Sequence, residues 1–440
     1  MKRSLNKKLL QWKQSKNRNP LILQGTRQTG KTYLIEEFGS FHFPKIHSFN
    51  FHEEPFLSDC FNRSLNPFVI LENLSLLKKQ HIDLDKDLIF FDEIGECPKA
   101  IESLKYFCEK APNVHLIAAG SLLGVKLAGV SYPVGKVDEL TLYPMDFEEF
   151  LWASGDDFSL KIYNERNRLA GAHFQLWSHF LNYYFTGGLP ACVAKWFDPK
   201  LSLFEKRLEV IKIQDNLVKS YINDFSKHAG KINALHLEQL FREIPNQLAK
   251  VVDESVKRFR FAQVLPNKRS FHDLMPALSW LEKAGLTIKV FPIMTKPIYP
   301  FRALRKENIF KLYLFDIGIL RSMLSLDYEQ LQDQNYGFSK GYFAENYVGE
   351  AFMKSFDRDL YSWCENESEI EFIINHTKYG PIPVEVKSGV RTKSKSLNSY
   401  VQRYNPERTI KLVGTCGGNN SDRNNLVLPI YFANCIFDFL

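Results

Sequence analysis

The segment Gly25-Thr26-Arg27-Gln28-Thr29-Gly30-Lys31-Thr32 constrains this chain more than any other. It follows the apolar run Leu21-Ile-Leu and precedes Tyr33-Leu-Ile-Glu-Glu-Phe, a pattern that can start a helix. Glycines at both ends let successive backbone N–H groups wrap a phosphate, and the helix N-terminus adds a favourable dipole. In such a loop, Lys31 reaches the β- and γ-phosphates and the Thr32 hydroxyl ligates Mg²⁺. All eight residues, Gly25 to Thr32, are therefore expected to form a nucleotide-binding loop.

A second signal lies about sixty residues on, where Leu88-Ile-Phe-Phe ends in Asp92-Glu93. An apolar strand ending in two acids places them at the carboxyl edge of a sheet, where α/β proteins bind ligands. Asp92 is expected to hold Mg²⁺, directly or through water, and Glu93 to polarise the attacking water. Ser121 ends a third strand, Val114 to Ala119, at a position between the two motifs. Its hydroxyl would orient the water or touch the γ-phosphate, or simply close a turn. For the charge that develops in phosphoryl transfer, Arg27 and Lys136 are the candidate cations.

Residues 1–155 alternate short apolar runs (Leu21-Ile-Leu, His47 to Phe51, Leu88 to Phe91, Val114 to Ala119) with helical patterns. That order predicts a parallel sheet covered on both faces, the P-loop NTPase form of an α/β fold. Residues 156–335 change to amphipathic helices, Ala172 to Phe185 and Leu201 to Phe225, interrupted at Gly187-Gly-Leu-Pro190. Over 235–291 the order helix, helix, strand (Leu286 to Phe291) predicts a winged helix-turn-helix. Residues 336–440 read as a smaller α/β domain, with a helix from Gly341 to Ser355 and strands at Ile370 to Ile374 and Ile382 to Val386, joined across Gly380-Pro381.

Composition narrows the setting. The seven cysteines are scattered with no CxxC, which argues for reduced thiols and a cytoplasmic protein. Met-Lys-Arg-Ser-Leu-Asn-Lys-Lys lacks an apolar stretch, so no secretory signal is expected, and no run approaches a membrane span. A net charge of +7 permits nucleic-acid contact without requiring it.

With these residues in view, the chain resembles a family of bacterial and archaeal AAA+ superfamily ATPases that carry an N-terminal ATPase domain and a C-terminal region of poorly known function. Beyond Gly25–Thr32 and Asp92-Glu93, the resemblance rests on Gly120-Ser121 and on Leu142-Tyr-Pro-Met-Asp-Phe-Glu-Glu-Phe-Leu151. It continues through Gly187–Pro190, Ile244-Pro-Asn-Gln-Leu248, Ala284-Gly-Leu286 and Phe310-Lys-Leu-Tyr-Leu-Phe-Asp-Ile-Gly318. It implies ATP as the nucleotide, Mg²⁺ as its metal, and ATP hydrolysis. Family members often carry Arg where Lys136 stands. Such proteins often oligomerise, but no arginine here is identified as reaching a neighbour's nucleotide.

At the other end, Val384-Glu385-Val386-Lys387 alternates, so Glu385 and Lys387 share one face. A preceding strand carries Glu371, and a helix carries Glu345. One helix acid, one strand acid and an ExK strand resemble the PD-(D/E)xK, or restriction-endonuclease-like, superfamily. That likeness implies that Glu345, Glu371 and Glu385 hold a metal and that Lys387 serves the reacting phosphate. Glu371 departs from the usual Asp of that superfamily. From Lys387 to Lys411 seven Lys/Arg face one acid, Glu407, with Tyr400 and Tyr404 between them. This run is either a solvated face or a phosphate-backbone contact, and Lys268-Arg269 adds to the second reading. The function expected is an ATP-binding ATPase that drives or gates conformational change on DNA or a protein partner. The alternatives are an ATP-gated nucleic-acid-binding regulator with negligible turnover, and an ATP-gated, metal-dependent DNA endonuclease.

Overall fold

The computed structural model describes residues 1–126, 132–228, 231–250, 258–261, 264, 270–333, 339–388, 394–418 and 424–440. They fall into two compact units, Met1–Tyr143 with Lys283–Gly285, and Pro144–Glu282 with Leu286–Leu440.

In the first unit the chain runs α1 (Asn6–Gln14), β1 (Leu21–Gln24), α2 (Lys31–His42), β2 (Ile46–Asn50), α3 (Asp59–Asn62) and α4 (Pro67–Lys78). It continues through β3 (Leu88–Asp92), α5 (Pro98–Lys110), β4 (His115–Ala119), α6 (Leu123–Lys126) and β5 (Asp138–Thr141). The strands form one sheet in the order β2-β3-β4-β1-β5, with every pairing parallel.

Alternation along each strand divides the apolar side chains between two cores. Leu21, Leu23, Leu88, Phe90 and Ile117 pack with Leu9, Trp12, Leu34 and Phe38 of α1 and α2. Ile22, Ile89, Phe91 and Leu116 point the other way, onto Phe61, Ile70, Leu104 and Phe107 of α3 to α5. A strand buried on both faces needs apolar residues at successive positions, which explains the unbroken run Leu88 to Phe91. Each such side chain contributes about 1.5–3 kcal/mol by burial, so a charge at Ile89 or Phe90 would break one layer outright.

The second unit begins with helices: α7 (Phe147–Ser154), α8 (Asp157–Asn164), α9 (Ala170–Thr186), α10 (Pro190–Trp196), α11 (Leu203–His228), α12 (Lys231–Lys250) and α13 (Phe271–Lys283). The capping box of Asp146 and Glu149 starts α7, and Pro190 sits in the first turn of α10. There follow β6 (Thr287–Ile293), β7 (Lys311–Leu314), α14 (Ile317–Met323), α15 (Tyr328–Gln332) and α16 (Ser339–Phe356). The chain ends with β8 (Leu360–Glu365), β9 (Ser368–His376), β10 (Gly380–Lys387), α17 (Lys395–Tyr404), β11 (Thr409–Val413) and β12 (Asn425–Pro429).

The seven strands form one mixed sheet, β12-β11-β10-β9-β8-β6-β7. β10 lies antiparallel to β9 and parallel to β11.

The helices and strand expected over 235–291 are present, but β6 is not a free wing. It pairs antiparallel with β7 and parallel with β8, and so is an inner strand of the same sheet as β8 to β12. The boundary expected near residue 335 therefore falls within a set of strands that share one sheet. Gly380-Pro381 lies inside β10 rather than in the turn before it. Among the described residues, no helix is long and apolar enough to cross a membrane.

Candidate functional site

In the first unit, the strand order brings the carboxyl ends of β1, β3 and β4 side by side, with β4 between the other two. The Gly25–Thr32 loop joins β1 to α2. Gly25 sits at φ +154°, and a Cβ there would lie 2.4 Å from the Leu142 carbonyl oxygen, so only glycine fits. Gly30 caps α2 in the left-handed region, at φ +88°. The Lys31 ammonium donates to the carbonyls of Gly25 (2.9 Å) and Thr26 (3.0 Å), and the Thr29 hydroxyl also donates to the Thr26 carbonyl. Burial lowers the Lys31 pKa to about 8, against the pull of Glu93 and Asp92, while Arg27 pushes in the same direction as burial.

The Thr32 hydroxyl donates to Asp92 Oδ2 at 2.8 Å, joining the loop to the end of β3. Burial raises the Asp92 pKa, opposed by that hydrogen bond. Glu93 follows in the left-handed region at φ 48°, a conformation that costs a non-glycine residue about 1–2 kcal/mol and is found at functional sites. Its carboxylate accepts from the Ser121 backbone N–H (3.4 Å) and from the Ser121 hydroxyl (3.3 and 3.4 Å). Ser121 thus stands at the end of β4, between the loop and the acids. Lys136 is half exposed and paired with Glu109 at 3.2 Å, the arrangement of an ordinary surface charge. Arg27 stays close enough to Lys31 to influence its ionisation.

Two residues escaped the reading of the sequence. Asn50, at the end of β2 and in register with Asp92, approaches Asp92 Oδ2 at 3.5 Å while its own oxygen accepts from the His52 and Glu53 N–H groups. An amide ending a strand beside an acid-tipped strand is a weak signal that could have been noticed. Arg3 is 4% exposed and donates to the carbonyls of Thr29 (2.9 Å) and Tyr143 (2.5 Å), bracing the loop from outside it. Nothing local to the basic N-terminus marks that role.

An all-parallel sheet in this order, with a phosphate loop after β1 and two acids after β3, defines a P-loop nucleotide-binding domain. Residues 17–151 match the family model of an AAA domain. The first unit is thus an AAA-type ATPase domain and binds ATP. Residues 178–330 and 340–433 each match the model of a domain of unknown function, DUF8612 and DUF4143. A search of curated proteins found no match.

Among solved structures, the Walker-type ATPase paby2304 of Pyrococcus abyssi is 13% identical with a TM-score of 0.45, over 73% of this chain and 95% of that one. The Aeropyrum pernix Orc1 protein in complex with DNA is 13% identical at 0.29, over 73% and 90%. Drosophila ORC bound to DNA is 15% identical at 0.24, over 64% and 86%. Scores this low carry no argument about partner or mechanism.

In the second unit, the C-terminal acids expected to converge are buried: Glu345 on α16, Glu371 on β9 and Glu385 on β10. Lys387 Nζ lies 2.9 Å from Glu385 and 3.9 Å from Glu371. Burial works against the Lys387 charge, but Glu371 and Glu385 outweigh it and raise its pKa. Glu371 also accepts from the Val386 N–H at 3.0 Å, while one Glu385 oxygen is buried without a hydrogen-bond partner.

Glu345 accepts from the Tyr313 hydroxyl at 2.8 Å and lies 3.7 Å from Lys311, a buried lysine that also pairs with Glu369. Lys311, Tyr313 and Glu369 were not anticipated, although Glu369 alternates with Glu371 on the same strand. Four carboxylates thus lie with two ammonium groups, and a further cation, Arg258, stands nearby. A cavity of about 30 Å³ beside Lys311 and Glu345 is also lined by Arg258 and Tyr342. Among the described residues, no group of three or more His, Cys, Asp or Glu side chains is arranged to hold a metal ion.

The basic run differs from expectation in its aromatics. Tyr400 is 1% exposed, its ring packed edge-on to Trp363, so it offers no face to a base or phosphate chain. Arg403 pairs with Glu365 at 2.9 Å. Arg391 and Lys393, like Lys268 and Arg269, lie outside the described residues.

Proposed function

We propose that this chain hydrolyses ATP with Mg²⁺ and uses the cycle to drive or gate a conformational change on DNA or a protein partner. The observation that carries the reading is the Thr32–Asp92 hydrogen bond of 2.8 Å, with Glu93 beside it on Ser121. Two hard oxygen donors meeting at the foot of a phosphate loop fit Mg²⁺, and Thr32 and Asp92 are the residues that would hold it. When bound, the metal supplies charge neutralisation for the phosphates.

The remaining roles belong to the chain's own groups. Backbone N–H groups of residues 25–32 cradle the phosphates, and Lys31 exchanges its contacts with loop carbonyls for phosphate oxygens. Glu93 accepts the proton of the attacking water. Ser121, which donates to Glu93 in the absence of nucleotide, orients that water once Glu93 turns to it. The test is steady-state ATP turnover by wild type and Glu93→Gln, with and without double-stranded DNA. Turnover that DNA raises and Glu93→Gln abolishes supports the reading; tight ATP retention with negligible turnover under both conditions replaces it with the regulator.

A second reading is favoured by one observation. The succession α16, β8, β9, β10, α17, β11 has β10 parallel to β11 and an ExK strand whose lysine contacts Glu371 and Glu385, which supports reading this region as a restriction-endonuclease-like core. A divalent cation there would need Glu345, Glu371 and Glu385 to draw together from the arrangement described, with Lys387 displaced toward the scissile phosphate. Mg²⁺- or Mn²⁺-dependent DNA cleavage that disappears in Lys387→Ala tests it, and the absence of cleavage with either metal rejects it.

A further inference from the structure

A cavity of about 270 Å³ opens in the second unit where α16 ends and β8 begins, and none of the buried carboxylates described above lines it. Its walls are aromatic. Phe301 and Tyr361 meet at 5.4 Å and 64°, and Phe352 and Phe372 at 5.2 Å and 74°. Phe301, Phe352 and Phe372 are buried and form the fixed backing of the wall, while the rings open to a ligand are the exposed Tyr299 and the half-buried Phe356 and Tyr361. A ligand ring therefore meets π surfaces braced by an already ordered backing.

The rim is cationic. Arg302 and Arg358 both line the cavity and are exposed, and among the described residues neither is paired with a carboxylate. The one acid in the lining, Asp359, already pairs with Arg305, which also holds Glu307 at 2.7 Å. Asp359 thus shares Arg305 with Glu307, and the two rim guanidinium groups, which pair with neither acid, remain available to an anion. Asn375 adds an amide that can donate and accept, with no hydrogen bond from its side chain among the described residues.

Aromatic walls, a two-way amide and two guanidinium forks together match the parts of a nucleotide. Rings stack a base, an amide reads a base edge, and planar guanidinium groups take phosphate oxygens in pairs. A purely apolar ligand would fill the walls and leave both arginines idle. The volume falls just below the usual range for ligand pockets, about 300 to 1,000 Å³, so one nucleotide fits better than a longer segment. We propose that this cavity binds a single nucleoside monophosphate unit, base inward and phosphate on Arg302 and Arg358. The unit is either a free mononucleotide or the terminal nucleotide of a strand. The proposal depends on neither reading of the function above.

The experiment uses the full chain carrying Lys31→Ala, so that loss of the phosphate-loop ammonium suppresses binding in the first unit. It is titrated calorimetrically with uridine monophosphate and, separately, with a 5′-phosphorylated thymidine decanucleotide. Binding of both probes identifies a free-nucleotide site that also accepts strand ends, and binding of the decanucleotide alone identifies a strand-end site. In either case the double variant Arg302→Ala/Arg358→Ala weakens binding by about tenfold or more, the effect of losing charge-assisted hydrogen bonds. Its unfolding temperature stays close to that of the parent, because both side chains are exposed and neither is in an ion pair, Arg358 only lying over the Phe356 ring at 5.7 Å. Asn375→Ala, which removes no charge, also weakens both probes. Failure of both probes to bind at millimolar concentration, or equal binding by the parent and the double arginine variant, overturns the proposal.

Discussion

Raising the pH isolates the work that the phosphate loop does on its own lysine. Lys31 is 6% exposed, and burial brings its pKa from the ordinary 10.5 down to about 8. At about 1.4 kcal/mol per pH unit, the difference corresponds to about 3 kcal/mol of penalty on the charged form in the empty loop. The sign for folding follows. Between pH 8 and 10.5 the unfolded chain binds more protons than the native one, so this group makes the nucleotide-free protein more stable as pH rises through that window. Below pH 8 the penalty is present in full.

A bound triphosphate supplies the missing counter-charge and returns the Lys31 pKa toward its ordinary value or above it. Binding at pH 9 must therefore take up about 0.9 of a proton, and at pH 7 almost none from this residue. Phosphate groups titrate near pH 6 and do not interfere above pH 8. Calorimetric titration with ATP at pH 9, in two buffers of different ionisation enthalpy, measures the uptake directly. Affinity should also fall by up to about tenfold per pH unit above pH 8. Proton uptake near zero at pH 9, with affinity flat from pH 7 to 9.5, would refute the claim that burial of Lys31 is relieved by the phosphates.

Other perturbations separate binding from turnover and from stability. Glu93→Gln should retain ATP while losing about 10²- to 10⁴-fold in hydrolysis, measured in a single-turnover assay. Thr32→Val removes the donor to a 3%-exposed Asp92 and should cost about 1–3 kcal/mol in denaturant unfolding at neutral pH, with the Asp92 pKa raised further. Arg3→Ala strips donors from the Thr29 and Tyr143 carbonyls; a loss of about 1–3 kcal/mol in stability, together with weaker ATP binding, is expected. Lys387→Ala leaves Glu371 and Glu385 without their shared cation. Because the lysine side chain is 32% exposed, the cost should be about 1–2 kcal/mol in denaturant unfolding.

What could be read from the chain followed the range of the physics involved. β1, β3 and β4 were legible because a strand buried on both faces requires a continuous apolar run, and Asp92-Glu93 stood out because it pairs with a phosphate loop earlier in the chain. β5 was not legible: its Asp138-Glu-Leu-Thr is an edge strand with no buried face to enforce a pattern. β6 was expected as a wing because Leu286-Thr-Ile-Lys-Val290 alternates apolar and polar residues as a half-exposed strand does. It is buried nonetheless, because β7 and β8 flank it in the sheet. The sites divide in the same way. Alternation located Glu371, Glu385 and Lys387 on one face, since that is a property of one strand and the next. The partners that decide how these charges behave come from far along the chain: Lys311 and Tyr313 reach Glu345 across more than thirty residues, and Arg3 reaches Thr29 across twenty-six. A local pattern tells which way a charged side chain faces, but its counter-charge is a property of the fold. The same reasoning bears on the carboxylate cluster itself. Its two lysines already answer much of the carboxylates' charge, so any cation entering there would have to displace Lys311 or Lys387. Of the two, Lys387 is the more exposed and should yield first.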